Sequence, residues 1–453
     1  MWFERLVPGT PPVEGDYAGL RESLKLGRQA TIARLETTGL RGRGGAGYPT
    51  AQKWQVCHNA EGEEKYAMCN AVDADPQAQT ARILLGSYPH AVLEGLLIAA
   101  YAVGAAHCYV CINAEYGDES AVLRDALEQM RGRGLLGGDI MGAGFSCDIT
   151  VKEVPSGLVM GEETALIRAL EDKQPLPYLR LEYPAVKGLL GKPTLVNSAE
   201  TLANVSAIFA GRRALTAVGD EAGDAAGEPG GLRAGATKIV TICGDVTEPC
   251  TVEVPLGTTI GALLEAVEGA SPDELGVKAV QLGGPTGAFF AGGPDAAPGV
   301  GAVPATLAVG GALDTPIDYE ALAAAGAIMG SATLQVIGAR GAGSERGGSD
   351  SAGGICAVQM ARDTMSYLQE QSCGKCTACR EVTLQLTEML EDIVEFRAKP
   401  EDLDLMLELC EAMGAGSICG LGKTAAAPLL SCLTLFPDDF AAHISRKSCP
   451  GGA

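Results

Sequence analysis

The sequence predicts an α/β layer, then a small β-grasp-like unit, then a C-terminal four-helix bundle. Three observations carry that expectation. Short apolar runs alternate with helical periodicity between residues 65 and 171, the pattern of strands covered by helices. Two strand-like runs, a helix and a further strand follow between residues 238 and 282. From Val358 onward the pattern is helical as far as Leu435, and four helices in succession suggest a bundle.

Taken in order, residues 17–36 read as one or two amphipathic helices leading into a glycine-rich loop. Residues 65–72 form a short apolar run, a buried strand that ends in the polar loop Asp73-Ala74-Asp75-Pro76. Residues 89–103 carry Val92, Leu93, Leu96, Leu97 and Ala100 at helical spacing, and 108–112 is strand-like again. A helix over 120–131 and a strand over 146–151 continue the alternation. Gly157 to Thr164 then runs into a helix over 165–171. Gly191 to Thr201 reads as a loop with capping residues that opens a helix through Ile208.

Residues 223–235 are rich in Gly and Ala and read as a linker. Beyond them 238–242 and 250–254 read as a hairpin, followed by a helix over 259–267 and a strand over 279–282. The glycine run 283–287 closes this unit, and 291–312 and 339–354 read as loops. The final helices are expected over 358–370, 380–396, 400–413 and 424–435. The corresponding domains are 1–222, 236–315 and 330–445.

Composition narrows the function. At 453 residues the chain is long enough for about two to four domains, and 47% hydrophobic residues exclude global disorder. A formal net charge of −22 argues against nucleic-acid binding, which needs a basic face. The start, Met1-Trp2-Phe3-Glu4-Arg5, has no apolar run suited to a signal peptide. The most apolar stretch, near Leu93 to Ala106, contains Glu94 and is too short to span a bilayer. A soluble protein is expected, cytoplasmic or peripheral on a membrane complex, with no direct membrane insertion.

The loop Gly42-Arg43-Gly44-Gly45-Ala46-Gly47-Tyr48-Pro49-Thr50, closed by Lys53 and Trp54, contains G-x-G-x-x-G. Glycines at that spacing let backbone N–H groups approach a phosphate or a flat ring. In a chain with 61 glycines the pattern alone is weak. A dinucleotide fingerprint also needs a strand before it and a helix after it. Here the preceding residues look helical and Pro49 follows.

Fifteen cysteines without a secretory signal point to thiols, metal ligands or redox chemistry. Most are scattered singly and read as small buried hydrophobes, as do Cys356, Cys410 and Cys432 around the bundle. Cys373, Cys376 and Cys379 form C-x2-C-x2-C, and Cys419 supplies a fourth thiol downstream. Three tightly wound thiolates plus one remote ligand suit a 4Fe–4S cluster. Zinc, the alternative, usually takes two ligand pairs.

These motifs in this order resemble one family. Leu40 to Thr50 with Lys53-Trp54, Gly161-Glu162-Glu163-Thr164-Ala165-Leu166, Gly191-Lys192-Pro193-Thr194, and Ser372-Cys373-Gly374-Lys375-Cys376 with Arg380 resemble the NADH-binding, FMN-containing flavoprotein subunit of respiratory complex I. The related diaphorase subunits of NAD-linked hydrogenases, formate dehydrogenases and electron-bifurcating enzymes share the module. The resemblance implies a Rossmann-like FMN domain, an SLBB-type β-grasp domain and a helical bundle with one 4Fe–4S cluster. It implies that Gly42, Arg43, Gly44, Gly45, Lys53, Asn70, Asp73, Gly161, Glu162, Glu163, Asn197, Ser198 and Thr201 line the FMN, with Glu162 and Glu163 beside flavin and nicotinamide as the catalytic pair. It places Tyr48, Asp75, Arg180 and Tyr183 against NAD(H) or NADP(H), and the cluster on Cys373, Cys376, Cys379 and Cys419. Partners implied are a thioredoxin-like 2Fe–2S subunit and a larger iron–sulfur or catalytic subunit.

The sequence departs from the family at the flavin and nicotinamide pockets. Where the family usually has Asn-Ala-Asp-Glu-x-Glu-Pro, this chain has Asn70-Ala71-Val72-Asp73-Ala74-Asp75-Pro76. Leu158 and Met160 stand where a tyrosine and a cysteine are common, and Ser198 replaces a second asparagine. The expected function is an FMN-dependent NAD(P)H oxidoreductase subunit that feeds single electrons through the cluster to its partners. The alternative is a non-catalytic scaffold that keeps the cluster and no longer binds nicotinamide.

Overall fold

A computed structural model describes residues 4–6, 15–211, 236–292, 303, 309–338 and 355–451. The chain divides into two compact units. One holds Trp2–Ile239 with Thr251–Leu256, the other Val240–Cys250 with Gly257–Ala453.

The first unit is built on a four-stranded parallel sheet, ordered Asp148–Val154, His107–Asn113, Tyr66–Ala71, Thr194–Ser198. Tyr66 pairs with both His107 and Thr194, and His107 with Asp148. Ala67, Cys69 and Ala71 face a large core with Val92, Leu96, Leu123 and Leu202. Tyr66 and Met68 face a smaller one with Val154, Leu166, Ile167 and Val196. Burial on both faces explains why the strand reads as an unbroken apolar run. The first three strands are laid down in one direction across the sheet, and the fourth returns to the other side of the first. Such a reversal opens a crevice at the carboxyl ends of the two strands that flank it, here beyond Asn70 and Ser198, which are register partners.

Helix Pro89–Val103 is buried along most of its length and packs on Ala199–Phe209. A Cβ added at Gly95 would lie 1.9 Å from the Leu202 carbonyl oxygen, so only glycine permits this approach. Gly95→Ala is expected to lower unfolding stability by about 3 kcal/mol, the upper end of overpacking costs, measured by urea denaturation of the holoprotein. Unchanged stability would show that the two helices can separate freely.

In the second unit Thr333–Gly338 pairs in parallel with Thr241 to Gly244 of strand Thr237–Gly244, and antiparallel with Val277–Leu282. Val277–Leu282 also pairs antiparallel with Ala288–Ala291. Helix Ile260–Ala266 starts at Thr259, whose hydroxyl accepts from the Ala262 N–H. Helices Ala357–Gln371, Thr377–Val394, Asp402–Gly416 and Ala427–Leu435 follow, around buried Leu368, Leu386, Leu390, Met406, Met413 and Leu429. Lys278 and Asp439 form an ion pair at 2.6 Å, and the Ser431 hydroxyl accepts from the Phe289 N–H. The β-grasp elements and the helices are therefore packed in the same unit.

The α/β layer, the β-grasp elements and the helical end agree with the sequence. Four features differ. Thr194–Ser198 is a strand rather than loop, Thr80–Ser87 is an unexpected helix, and strands Ala288–Ala291 and Thr333–Gly338 extend the β-grasp sheet. The last helix, expected over 424–435, starts at Ala427 with Pro428 in its first turn, and a separate short helix, Gly420–Thr424, precedes it. The expected linker at 223–235 and the loop at 339–354 lie outside the described residues. Among the described residues no single helix is long and apolar enough to cross a membrane.

Candidate functional site

The glycine loop sits between two helices, which is why it fails the dinucleotide fingerprint. Helix Arg28–Thr38 ends at Gly39, and helix Thr50–Asn59 begins after Pro49. The loop closes on itself. The Gly42 N–H donates to the Tyr48 carbonyl at 2.8 Å, the Thr50 N–H to the Leu40 carbonyl at 3.0 Å, and Arg41 Nε to the Gly47 carbonyl at 2.6 Å. Gly45 and Gly47 have φ of 112° and 62°, a region that favours glycine.

The loop is tied to the sheet's fourth strand and the helix that follows it. The Arg43 N–H donates to Thr201 Oγ1 at 2.8 Å, and a Cβ at Gly44 would meet Ser198 Cβ at 3.5 Å. Ser198 caps helix Ala199–Phe209, with its hydroxyl 2.8 Å from that of Thr201. Glu200, in the first turn, is buried, ion-paired with buried Lys238 and bonded to the Ile239 N–H, which fixes the helix start. Buried Trp54 donates from Nε1 to Asn197 Oδ1 at 3.0 Å. Arg43 is only 5% exposed, yet its Nε has no hydrogen-bond partner among the described residues. A buried guanidinium N–H without an acceptor is costly, and an anion at the adjacent helix N-terminus would supply one.

Across the crevice, Asn70 Nδ2 donates to the Gly161 carbonyl at 3.0 Å. Gly161 is held close, since a Cβ there would lie 2.8 Å from that of Ala74. Glu162 caps helix Glu163–Leu170. One carboxylate oxygen accepts from the Thr164 and Ala165 N–H groups at 2.8 and 2.9 Å and from the Thr164 hydroxyl. Its other oxygen meets Arg180. Glu163 lies between two cations, 3.1 Å from Arg180 Nη1 and 3.4 Å from Lys53 Nζ. Lys53 also donates to the Val196 carbonyl at 3.2 Å. Thus Lys53, Glu162, Glu163 and Arg180 form one linked charge group. Tyr48 and Tyr183 are exposed by 50% and 67%, unlike most aromatic side chains here, and their faces are open to stacking.

Two acids of the polar loop have structural tasks that sequence reasoning missed. Asp73 Oδ2 accepts from the Ala81 and Arg82 N–H groups at 2.8 and 3.0 Å and from the Tyr116 hydroxyl at 3.3 Å. It thereby anchors the start of helix Thr80–Ser87. Burial pushes its carboxyl upward, against those hydrogen bonds. Asp75 is buried and accepts from the Gln77 N–H at 3.0 Å. The departures Val72 and Met160 are both buried in the smaller core, with Met68, Val154 and Leu166. They pack with one another's neighbours rather than standing as isolated changes.

In the second unit the four predicted cysteines come together. Cys379 is buried, and the thiols of Cys376, Cys419 and Cys373 all act on it electrostatically, after burial itself, to push its thiol upward. Cys376 and Cys419 each precede a helix, and Gly374 has φ 72°. The Arg380 guanidinium donates to the Gly374 carbonyl at 2.7 Å, closing the turn around Cys373 and Cys376. A Cβ at Gly422 would lie 3.0 Å from Cys379 Cβ and 2.4 Å from Ser417 Oγ, so glycine brings the Cys419 turn onto Cys379. Among the described residues, no three of these four sulfurs lie within 4.8 Å of one another. The donor set fits a cluster with a thiolate at each corner better than one zinc ion, which draws its ligands together.

Comparison with known proteins accords with this geometry. Residues 35–207 match the Nuo51 FMN-binding domain, 239–287 the SLBB domain, and 359–443 the NADH-ubiquinone oxidoreductase-F iron-sulfur binding region. The chain is 34% identical to NADP-reducing hydrogenase subunit HndC of Solidesulfovibrio fructosivorans, over 96% of this chain and 80% of the relative. It is 32% identical to the F subunit of the NADH-quinone oxidoreductase of Streptomyces coelicolor, over 96% of this chain and 87% of the relative. Among solved structures, it is similar to an NAD+-reducing nickel–iron hydrogenase in the H2-reduced state, with TM-score 0.76 and 28% identity, over 96% of this chain. The chain spans 65% of that hydrogenase chain's length. These matches cover the FMN domain, the β-grasp domain and the iron–sulfur bundle in order, and the chain belongs to the family of FMN- and 4Fe–4S-binding, NAD(P)H-oxidising flavoproteins that serve NADH-quinone oxidoreductases and related hydrogenases.

Proposed function

We propose that the crevice beyond Asn70 and Ser198 is the FMN site and that the charge group around Glu163 receives NAD(P)H. The observation that carries this reading is the unpartnered, buried Arg43 Nε on a loop bonded to Thr201, at the start of helix Ala199–Phe209. An FMN phosphate satisfies that N–H and the N-terminal helix dipole together. Gly42, Gly44 and Gly45 keep side chains off the ring, Gly161 does the same opposite, and Asn70, Asn197 and Ser198 supply polar edges. FMN, when bound, supplies the conversion of a two-electron hydride into single electrons.

The chain's own groups orient the reactants. Lys53 and Arg180 hold Glu163 between them, and Arg180 also holds Glu162, so two carboxylates stand at the crevice without uncompensated charge. Tyr48 and Tyr183 offer stacking faces for the adenine half, and Asp75, on the loop that follows strand Tyr66–Ala71, is assigned to the same dinucleotide path. Asp73 acts in this reading through the loop it anchors rather than as a direct ligand. Cys373, Cys376, Cys379 and Cys419, in the domain 330–445, would hold the 4Fe–4S cluster, which when bound supplies a one-electron acceptor for the flavin. The flavin part falls within 1–222, and the β-grasp part expected over 236–315 also takes in strand Thr333–Gly338, which pairs with both Thr237–Gly244 and Val277–Leu282. Partner subunits with further iron–sulfur centres, one of them thioredoxin-like with a 2Fe–2S centre, take the electrons onward on the cytoplasmic side.

Arg180→Ala is expected to raise KM for the nicotinamide about 10-fold, as one charged hydrogen-bond partner is removed, while bound FMN per chain stays unchanged. Loss of FMN in that variant would place Arg180 in the flavin site instead. The competing scaffold reading draws on Val72, Leu158 and Met160, of which Val72 and Met160 pack in the smaller core. It requires that neither NADH nor NADPH reduce the bound flavin.

A further inference from the structure

Outside the flavin crevice and the four cluster cysteines, one group of ligand-type side chains stands apart. Cys356, His443 and Cys449 bring two sulfurs and an imidazole nitrogen within 4.8 Å of one another, the only such trio of Cys, His, Asp or Glu among the described residues. We propose that these three side chains bind one zinc ion, with water in the fourth position, and that this ion staples residues 442–449 to the start of helix Ala357–Gln371.

The geometry supports a single ion. Tetrahedral zinc with Zn–S of about 2.3 Å and Zn–N of about 2.0–2.1 Å places its ligand atoms roughly 3.5–3.8 Å apart. Cys356 Sγ lies 3.3 Å from His443 Nε2. The imidazole is already oriented as metal-bound histidines are. Its Nδ1 lies 3.2 Å from the Ile393 carbonyl oxygen, which can only accept, so Nδ1 carries the proton and Nε2 presents a lone pair toward the sulfurs. His443 is 1% exposed and Cys356 0%, and the Phe396 ring covers the imidazole at 5.1 Å. Cys356 Sγ also lies at the start of helix Ala357–Gln371, where it accepts from the Val358 and Gln359 N–H groups.

The donor chemistry selects the metal. Two thiolates and one neutral imidazole balance a dication and suit zinc, whereas magnesium and calcium require oxygen ligands. Nearby Asp439 is engaged elsewhere, by Lys278 at 2.6 Å and the Ala357 N–H at 2.8 Å. His443 sits in a π-helical turn, Ala442–Arg446, followed by Lys447 at φ 51°. Single π turns recur at functional sites, and this one presents His443 and then returns the chain so that Cys449 faces Cys356. A buried S–H···N hydrogen bond alone would account for Cys356 and His443 but not for the third ligand.

The test is metal analysis of the full chain, purified anaerobically without chelator and carrying its iron and FMN. Zinc at about one per chain is expected beside the iron, and absorption at the zinc edge should show two sulfur and one nitrogen neighbours. His443→Ala and Cys449→Ser should each reduce zinc to under about a tenth, with iron and FMN content unchanged. Cys449 is only partly buried, so its variant remains informative if His443→Ala fails to fold. Absence of zinc from the purified protein and after incubation with zinc salts would overturn the proposal. So would zinc retained in both variants, or a Cys356–Cys449 disulfide.

Discussion

Replacing Arg43 with methionine is expected to weaken FMN binding by about 2 kcal/mol, roughly 30-fold, the value of a hydrogen bond to a charged group. The same change should leave the FMN-free protein at least as stable as the unaltered one. The two effects have one cause. In the absence of ligand, Arg43 buries an Nε that has no acceptor among the described residues, at a cost of about 1–3 kcal/mol. Methionine fills similar volume without that cost, but it offers nothing to a phosphate. A residue that merely packed the loop would behave oppositely, losing stability in both states. Isothermal titration with FMN and thermal unfolding of the FMN-free protein decide between them, and reduced stability of the FMN-free variant would remove Arg43 from the phosphate site.

Cys419→Ser separates the two redox centres. It is expected to abolish or alter the cluster's electron paramagnetic signal and to cut electron delivery to partner subunits by more than about 100-fold, beyond the range typical of outer-shell changes at metal sites. Bound FMN should still be reduced by nicotinamide, because the flavin crevice belongs to the other compact unit. Cys419 is favoured over Cys379 for this test because Cys379 lies inside the long helix Thr377–Val394, whereas Cys419 stands just before the short helix Gly420–Thr424. An unchanged signal would contradict the ligand assignment.

The sequence exposed the parts of the fold that periodicity governs. Helix Pro89–Val103 and strand Tyr66–Ala71 were legible because their burial is continuous and their neighbours are long in sequence. Thr194–Ser198 was hidden by its own ending. Ser198 and Thr201 are strong cap residues, and their signal makes the short strand before them read as loop. That strand completes the reversal of strand order, so the crevice itself could not be located from sequence. The hidden helix Thr80–Ser87 had a second consequence. Asp73 looks like a free acid beside the strand end, and its commitment to the Ala81 and Arg82 N–H groups shows only once that helix is present.

Cysteine spacing was informative only where the ligands are close in sequence. Cys373, Cys376 and Cys379 stand out by their spacing, and Cys419 is the fourth ligand the sequence leads one to expect. Cys356 and His443 lie 87 residues apart, and each alone reads as packing. Their approach depends on how helix Ala357–Gln371 and the final turn meet in three dimensions. The motif Gly161-Glu162-Glu163 illustrates the reverse. Its helix-capping role, the ordinary one for such acids, is real for Glu162, and it coexists with the charge group formed through Lys53 and Arg180.

The most direct test is anaerobic titration of the purified protein, with FMN and cluster bound, against NADH and separately against NADPH. Flavin bleaching by at least one nucleotide, followed by appearance of the reduced-cluster signal, is the predicted result. With FMN bound, no bleaching by either nucleotide would contradict the account and leave the chain as a scaffold.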